Sequence, residues 1–306
     1  MRIGIYGGTV RRGQPLTSLV DELVDLESRG FSSYWMPQVG MYDVLTMIAL
    51  AGQKTSTIEM GSAVVPSYTR HPNVSAEQAA TVNALAGGRL VLGVGPSHKP
   101  GIEDSLGLKY EKPALHMREY VTILKALGEE GKVDFQGEMY RIKTGIGVPD
   151  AQPFPVWMSA LGPLMLKAAG EVADGTVTWM VGRNTIENST VPRITKAAAD
   201  AGRPAPRIVV GVPVCVHDDP DVAIARSVQI FKHYGALPNY RRQLDAEGIN
   251  EAGEIAVVGN EKEVEAQLQG FFDAGATEVI ASVYPAGDDS RGSFGRTNTL
   301  LESLTG

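Results

Sequence analysis

The chain has 306 residues, 43% of them apolar and 21% charged, the balance of a globular protein with a sizeable core. Its net charge of −7 argues against a nucleic-acid partner and against an anionic membrane surface, both of which need clustered Lys and Arg. A lone cysteine, Cys215, rules out an internal disulfide framework, and five histidines without ligand spacing give no reason to expect zinc.

The segment Arg2–Gly7 reads as a strand at the very start, so no signal peptide is expected. No apolar run reaches the roughly 18 residues of a membrane span, and a cytoplasmic protein follows as the expectation. Further short runs rich in β-branched residues come at Ser33–Met36, Thr57–Val65, Leu90–Val94, Pro155–Ser159, Gly175–Met180, Ile208–Val216 and Thr277–Val283. Most are apolar on both faces, as parallel strands covered on both sides must be.

Helical periodicity fills the gaps. Leu16, Leu19, Val20, Leu23 and Val24 share a face, with Gly30 as a stop. Asp43 suits the cap of a helix through Met47 and Leu50, and Pro72 the first turn of one reaching Leu85. Met117, Tyr120, Val121, Leu124 and Leu127 mark a helix that Gly128 is expected to close, and Pro163 opens another. Val133–Ile142 reads as a small hairpin around Gln136-Gly137-Glu138. The stretch Asp218–Gly259 is too long for one crossover and reads as two or three helices inserted before the last strand.

Eight strand–helix alternations in this length point to a single α/β unit, a (β/α)8 TIM barrel. An open doubly wound sheet is the runner-up. In a barrel the chemistry lies just after each strand. Gln38 follows the second strand, as a ligand contact or a solvated turn residue. Arg70 and His71 precede a helix start, as an anion site or as a capping segment. Gly93-Val94-Gly95 would let a flat ligand approach the backbone, although no Rossmann fingerprint follows. His98 is a candidate acid, base or donor, or an exposed loop histidine. Ser159-Ala160-Leu161-Gly162 before Pro163 is the best phosphate site, at the head of a helix; a plain turn with Ser159 as cap is the alternative. Trp157 and Trp179 read first as core, with Trp179 near enough to its strand end to wall a pocket.

Several segments in sequence order resemble the bacterial-luciferase-like family of flavin and deazaflavin oxidoreductases. They are Gly61–Val65 with Tyr68-Thr69-Arg70-His71-Pro72, Gly88–Gly95, Phe135-Gln136-Gly137 with Tyr140, Pro155–Pro163 with Glu171–Gly175, Val258-Gly259 and Ala274-Gly275. The resemblance implies a barrel with an insertion near strand 7, a non-prolyl cis peptide at Ala63–Val64 supporting the cofactor ring, and a phosphate near the loop after strand 5. It places cofactor contacts at Gly7, Gln38, Ala63, Val64, Val65, Gly95, Pro96, Ser97, Ser159, Ala160, Leu161, Gly162 and Trp179. The Tyr-Thr-Arg-His-Pro run and the Gly-Val-Gly-Pro-Ser loop look most like members using coenzyme F420, with an FMN-dependent luciferase-like monooxygenase as the alternative and a non-catalytic flavin-binding barrel as a third reading. The family's sugar-phosphate dehydrogenases carry Asp-His after strand 2 and Glu after strand 4, where this chain has Gln38-Val39 and His98. The implied reaction is therefore hydride transfer in a reductase acting on a small organic molecule, with His98 or Tyr68 as proton donor. A homodimer through the helices after strands 2 and 3 is also implied.

Overall fold

The computed structural model describes residues 1–10 and 13–305. Eight parallel strands form a closed barrel: β1 (Ile3–Tyr6), β2 (Ser33–Met36), β3 (Glu59–Ser62), β4 (Leu90–Gly95), β5 (Val156–Met158), β6 (Gly175–Trp179), β7 (Arg207–Val216) and β8 (Glu278–Val283). Each pairs with the next, and β8 returns to β1 through Ile3↔Val279 to Ile5↔Ala281. The runner-up open sheet is thereby excluded. No helix among the described residues is long and apolar enough to cross a membrane.

Trp35, Val91, Trp157, Val177, Val209 and Ile280 fill the barrel's interior, with the Trp35 and Trp157 rings 5.0 Å apart. Trp157 is thus core, as its apolar setting suggests. A larger cluster lies between the strands and the outer helices. The end of the barrel where the strands begin is closed by charge. Glu278, fully buried, takes Arg2 at 2.8 Å and Arg207 at 2.7 Å and also accepts from Ser33, while both arginines reach Glu59. Arg207 also lies over Trp157.

The expected caps form where the sequence places them. Asp43 accepts from the Thr46 amide to start Val44–Gly52, and Pro72 opens Pro72–Leu85. The helix Pro113–Glu130 runs past Gly128, which sits against the Phe154 ring, and stops at Gly131 with φ +68°. The third strand is shorter than Thr57–Val65. It ends at Ser62, the Ala63–Val64 peptide is cis, and pairing resumes at Val65–Pro66 alongside Val94 and Gly95. The hairpin forms from Lys132–Gln136 and Arg141–Gly145, tied down by Glu119, whose carboxylate accepts the amides of Glu138, Met139 and Tyr140. The insertion after β7 holds helices Pro220–Phe231 and Pro238–Glu247, and a short strand, Val257–Gly259, that adds to the outside of β7.

Candidate active site

A cavity of about 800 Å³ opens at the ends of the strands. Tyr6 contributes from β1, Gln38 from the loop after β2, Ala63 and Val64 from the bulge after β3, and Pro96, Ser97 and His98 from the loop after β4. Ser159, Leu161 and Gly162 follow β5, and Trp179 ends β6. Tyr234, Asn239, Tyr240 and Arg242 come from the insertion and complete the wall.

Three surfaces define the chemistry of this space. The floor is the small apolar pair Ala63–Val64. One wall is aromatic: Tyr6 stacks on Trp179 at 4.4 Å, and Trp179 meets Tyr234, which meets Tyr240 at 4.9 Å. The third surface is the start of the helix Pro163–Val172. Its N-cap, Gly162, supplies no side-chain cap, Pro163 has no amide hydrogen, and Leu164 and Met165, first-turn residues without a side-chain cap for their amides, line the cavity. Such amides, with Ser159 beside them, suit a phosphate. Ser159 is not the helix cap. Apolar floor, stacking wall and anion end together fit a flat ring carrying a phosphate.

His98 lies 5.9 Å from the Tyr240 ring, and burial pulls its pKa below the usual value. It is half-buried and lines the cavity, where burial disfavours its charged form.

Other candidates are placed elsewhere. Tyr68 is outside the cavity wall: its ring stacks on His116 at 3.9 Å, its hydroxyl donates to the Glu111 carbonyl at 2.8 Å, and burial pushes its pKa up to about 12. It packs the loop, with its hydroxyl proton engaged by that carbonyl. Arg70 is spent on Asp43 and Gln78, and His71 caps its helix through Nδ1, so neither forms an anion site. Val65 and Ala160 are buried beneath the wall. Three glycines are closely packed on their Cβ side. A Cβ on Gly7 would meet the Tyr34 ring, one on Gly93 would stand 1.9 Å from the Ser62 carbonyl oxygen, and one on Gly95 would stand 2.3 Å from Ser159 Oγ. Gly93 and Gly95 give space to the bulge and to the anion loop, which is a less direct role than touching a ligand.

Tyr6, Tyr240 and Arg242 had no sequence signal comparable to a motif. Tyr6 could have been read from its place at a strand end. The other two reach the cavity only because Gln243 Nε2 donates to the Leu161 carbonyl at 3.3 Å and Glu247 accepts the Thr185 amide at 2.6 Å, contacts that dock the insertion helix on the barrel.

The sequence matches the luciferase-like monooxygenase family over residues 2–289. An uncharacterized protein of Mycobacterium tuberculosis is 32% identical over 248 residues, 76% of this chain and 73% of the relative. The 5,10-methylenetetrahydromethanopterin reductase of Methanopyrus kandleri is 32% identical over 219 residues, 64% of this chain and 60% of that protein. The solved structure of a coenzyme F420 dependent tetrahydromethanopterin reductase from Methanopyrus kandleri superposes with a TM-score of 0.80 at 24% identity, covering 98% of this chain and 97% of that one, a likeness of fold. With a family match spanning the barrel and every strand end that builds the cavity, the chain belongs to the luciferase-like monooxygenase family.

Proposed function

We propose that this chain is a deazaflavin (coenzyme F420)-dependent oxidoreductase transferring a hydride between the cofactor and a small organic substrate, and that it works as a reductase of an activated double bond, an imine or a similar acceptor. The observation that carries this reading is the pairing, across one cavity, of the Ala63–Val64 floor with the uncapped amides at Leu164 and Met165. The F420-dependent relative from Methanopyrus kandleri supports the choice of cofactor, and FMN is the alternative within the family. Exposed Leu50, Val74 and Leu85 on the helices after β2 and β3 support the homodimer.

When bound, the deazaflavin supplies two-electron hydride chemistry. The chain supplies position and a proton. Ala63 and Val64 would support the ring, Trp179 would close its side, and Ser159 with the Leu164 and Met165 amides would hold the phosphate. His98 protonates the acceptor at the atom left electron-rich by reduction. No acid–base pair equivalent to Asp-His follows β2, where Gln38 instead receives weak contacts from the Val44 amide and Arg70. Proton removal from an alcohol therefore has less support than reduction.

Spectral titration tests the cofactor: F420 should bind with at least about tenfold lower Kd than FMN, a difference of ~1.4 kcal/mol. Tight FMN binding with none for F420 overturns the reading.

For His98 as donor the sign is set by its environment. Burial lowers the pKa from 6.5, so the proton-bearing form is populated only on the acid side of that value. Turnover should rise as pH falls, with its midpoint below 6.5. His98→Ala should remove this limb and lower kcat by about 10²-fold or more, with the Kd for F420 nearly unchanged. Unchanged turnover with an intact pH limb excludes the role.

A further inference from the structure

The cavity wall has a charge pattern unlike the rest of the chain. The molecule carries a net −7, yet no Asp or Glu is among the described residues lining the cavity, and two cations, Lys112 and Arg242, are. Lys112 is paired with Glu138 outside. Among the described residues Arg242 has only a neutral partner, the side-chain amide oxygen of Asn239. No carboxylate lies within ion-pair distance of it among the described residues, whereas its neighbour Arg241 is saturated by Asp245 and by the carbonyls of Ile249 and Asn250.

The helix that carries Arg242 is docked on the barrel, while the Arg242 side chain itself is exposed at the cavity rim. The next residue, Gln243, bonds the loop after β5, and Tyr240 on the same helix is buried between Tyr234 and the His98 side of the cavity. One docked helix therefore carries the aromatic neighbour of the proposed proton donor together with an arginine lacking an acidic partner among the described residues. A planar guanidinium with free donors is suited to a carboxylate or phosphate oxygen pair.

We propose that Arg242 is a specificity-determining residue that binds an anionic group, a carboxylate or phosphate, on the substrate, so that the acceptor is an acid reduced next to His98. This rests on the oxidoreductase reading above and names its substrate class. The same anion chemistry could be offered by a carboxylate on the cofactor's tail, and the test separates the two sources.

The probes are cinnamate and its methyl ester, two activated alkenes that differ by one charge. Their Kd values are measured by calorimetry on the wild type, Arg242→Gln and Arg242→Lys, each with and without bound F420. Wild type should prefer the acid by about tenfold, the usual strength of one charge-assisted contact. Arg242→Gln should abolish that preference while leaving the ester's Kd and the Kd for F420 within about twofold, and Arg242→Lys should restore part of it. Equal binding of acid and ester by wild type overturns the proposal. So does a variant that loses F420 affinity while keeping the acid preference, because the anion then belongs to the cofactor. Failure of F420 to bind at all sinks the cofactor reading instead, and the acid preference is still read on the unloaded protein.

Discussion

Replacing Gly93 with Ala should cost the protein its cofactor affinity, by about 10²-fold or more, along with about 1–3 kcal/mol of stability. The reason is a backbone contact. The added Cβ would stand 1.9 Å from the Ser62 carbonyl oxygen and 3.3 Å from Val64 Cγ1, and a main-chain atom in a buried strand cannot swing aside. The Ser62 hydroxyl accepts from the Gly93 amide at 3.0 Å and donates to the Gly93 carbonyl at 2.8 Å, so the two strands are clamped at that point. Relief must come from shifting Ser62, and Ala63 and Val64 move with it. Gly95→Ala makes the control. Its Cβ meets side-chain atoms, Ser159 Oγ at 2.3 Å and Val64 Cγ2 at 2.7 Å, which can rotate. Its loss should be smaller and should fall on the phosphate end. Denaturation midpoints and F420 titration of both variants check the order; equal affinity for F420 in Gly93→Ala and wild type would contradict it.

That contact also shows which parts of the molecule were legible beforehand. The barrel was, because parallel strands buried on both faces need continuous apolar runs, and Ile208–Val216 or Leu90–Val94 can hardly be anything else. Gly93 has a packing role that its sequence position does not reveal. A glycine at a strand end reads as access for a ligand, and only the neighbouring strand's carbonyl shows that the space is already taken. Tyr68 misled in the same way, since its hydroxyl partner is a backbone carbonyl 43 residues on. Gly128 looked like a helix stop because a small residue ends the periodic run, but it is small to admit the Phe154 ring. The short strand Val257–Gly259 is three residues long and gives no period to detect. The floor at Ala63–Val64 came from resemblance, not from any pattern of apolar residues. Arg242 and Tyr240 could not have been found, because what brings them to the cavity is the docking of a helix through Gln243 and Glu247, a tertiary fact without a local signature.

At the other end of the barrel, Glu278→Ala should be strongly destabilising, lowering stability by about 2–3 kcal/mol once the partial exposure of its arginine partners is allowed for, while leaving kcat of the folded protein unchanged. Glu278 is fully buried and anchors three donors at once: Arg2, Arg207 and Ser33, whose own hydroxyl accepts from Trp35 Nε1 at 2.9 Å. Without it, two guanidiniums share Glu59 alone, and Ser33 and Trp35 lose the acceptor at the end of their chain. The cost comes mainly from the unmet Ser33 and Trp35 donors and from two ion pairs lost at once, because Arg2 and Arg207 are partly exposed and keep Glu59. Glu278→Gln separates the two contributions. It keeps an oxygen acceptor and the shape while removing the negative charge, and should lose less. Since a domain of this kind has a total stability of about 5–15 kcal/mol, the alanine variant should show a sharply lower urea midpoint and lower soluble yield. Turnover per folded molecule is the discriminating measurement. The cluster closes the mouth where the strands begin and the cavity opens where they end, so a parallel fall in kcat would mean that the barrel transmits its closure to the site.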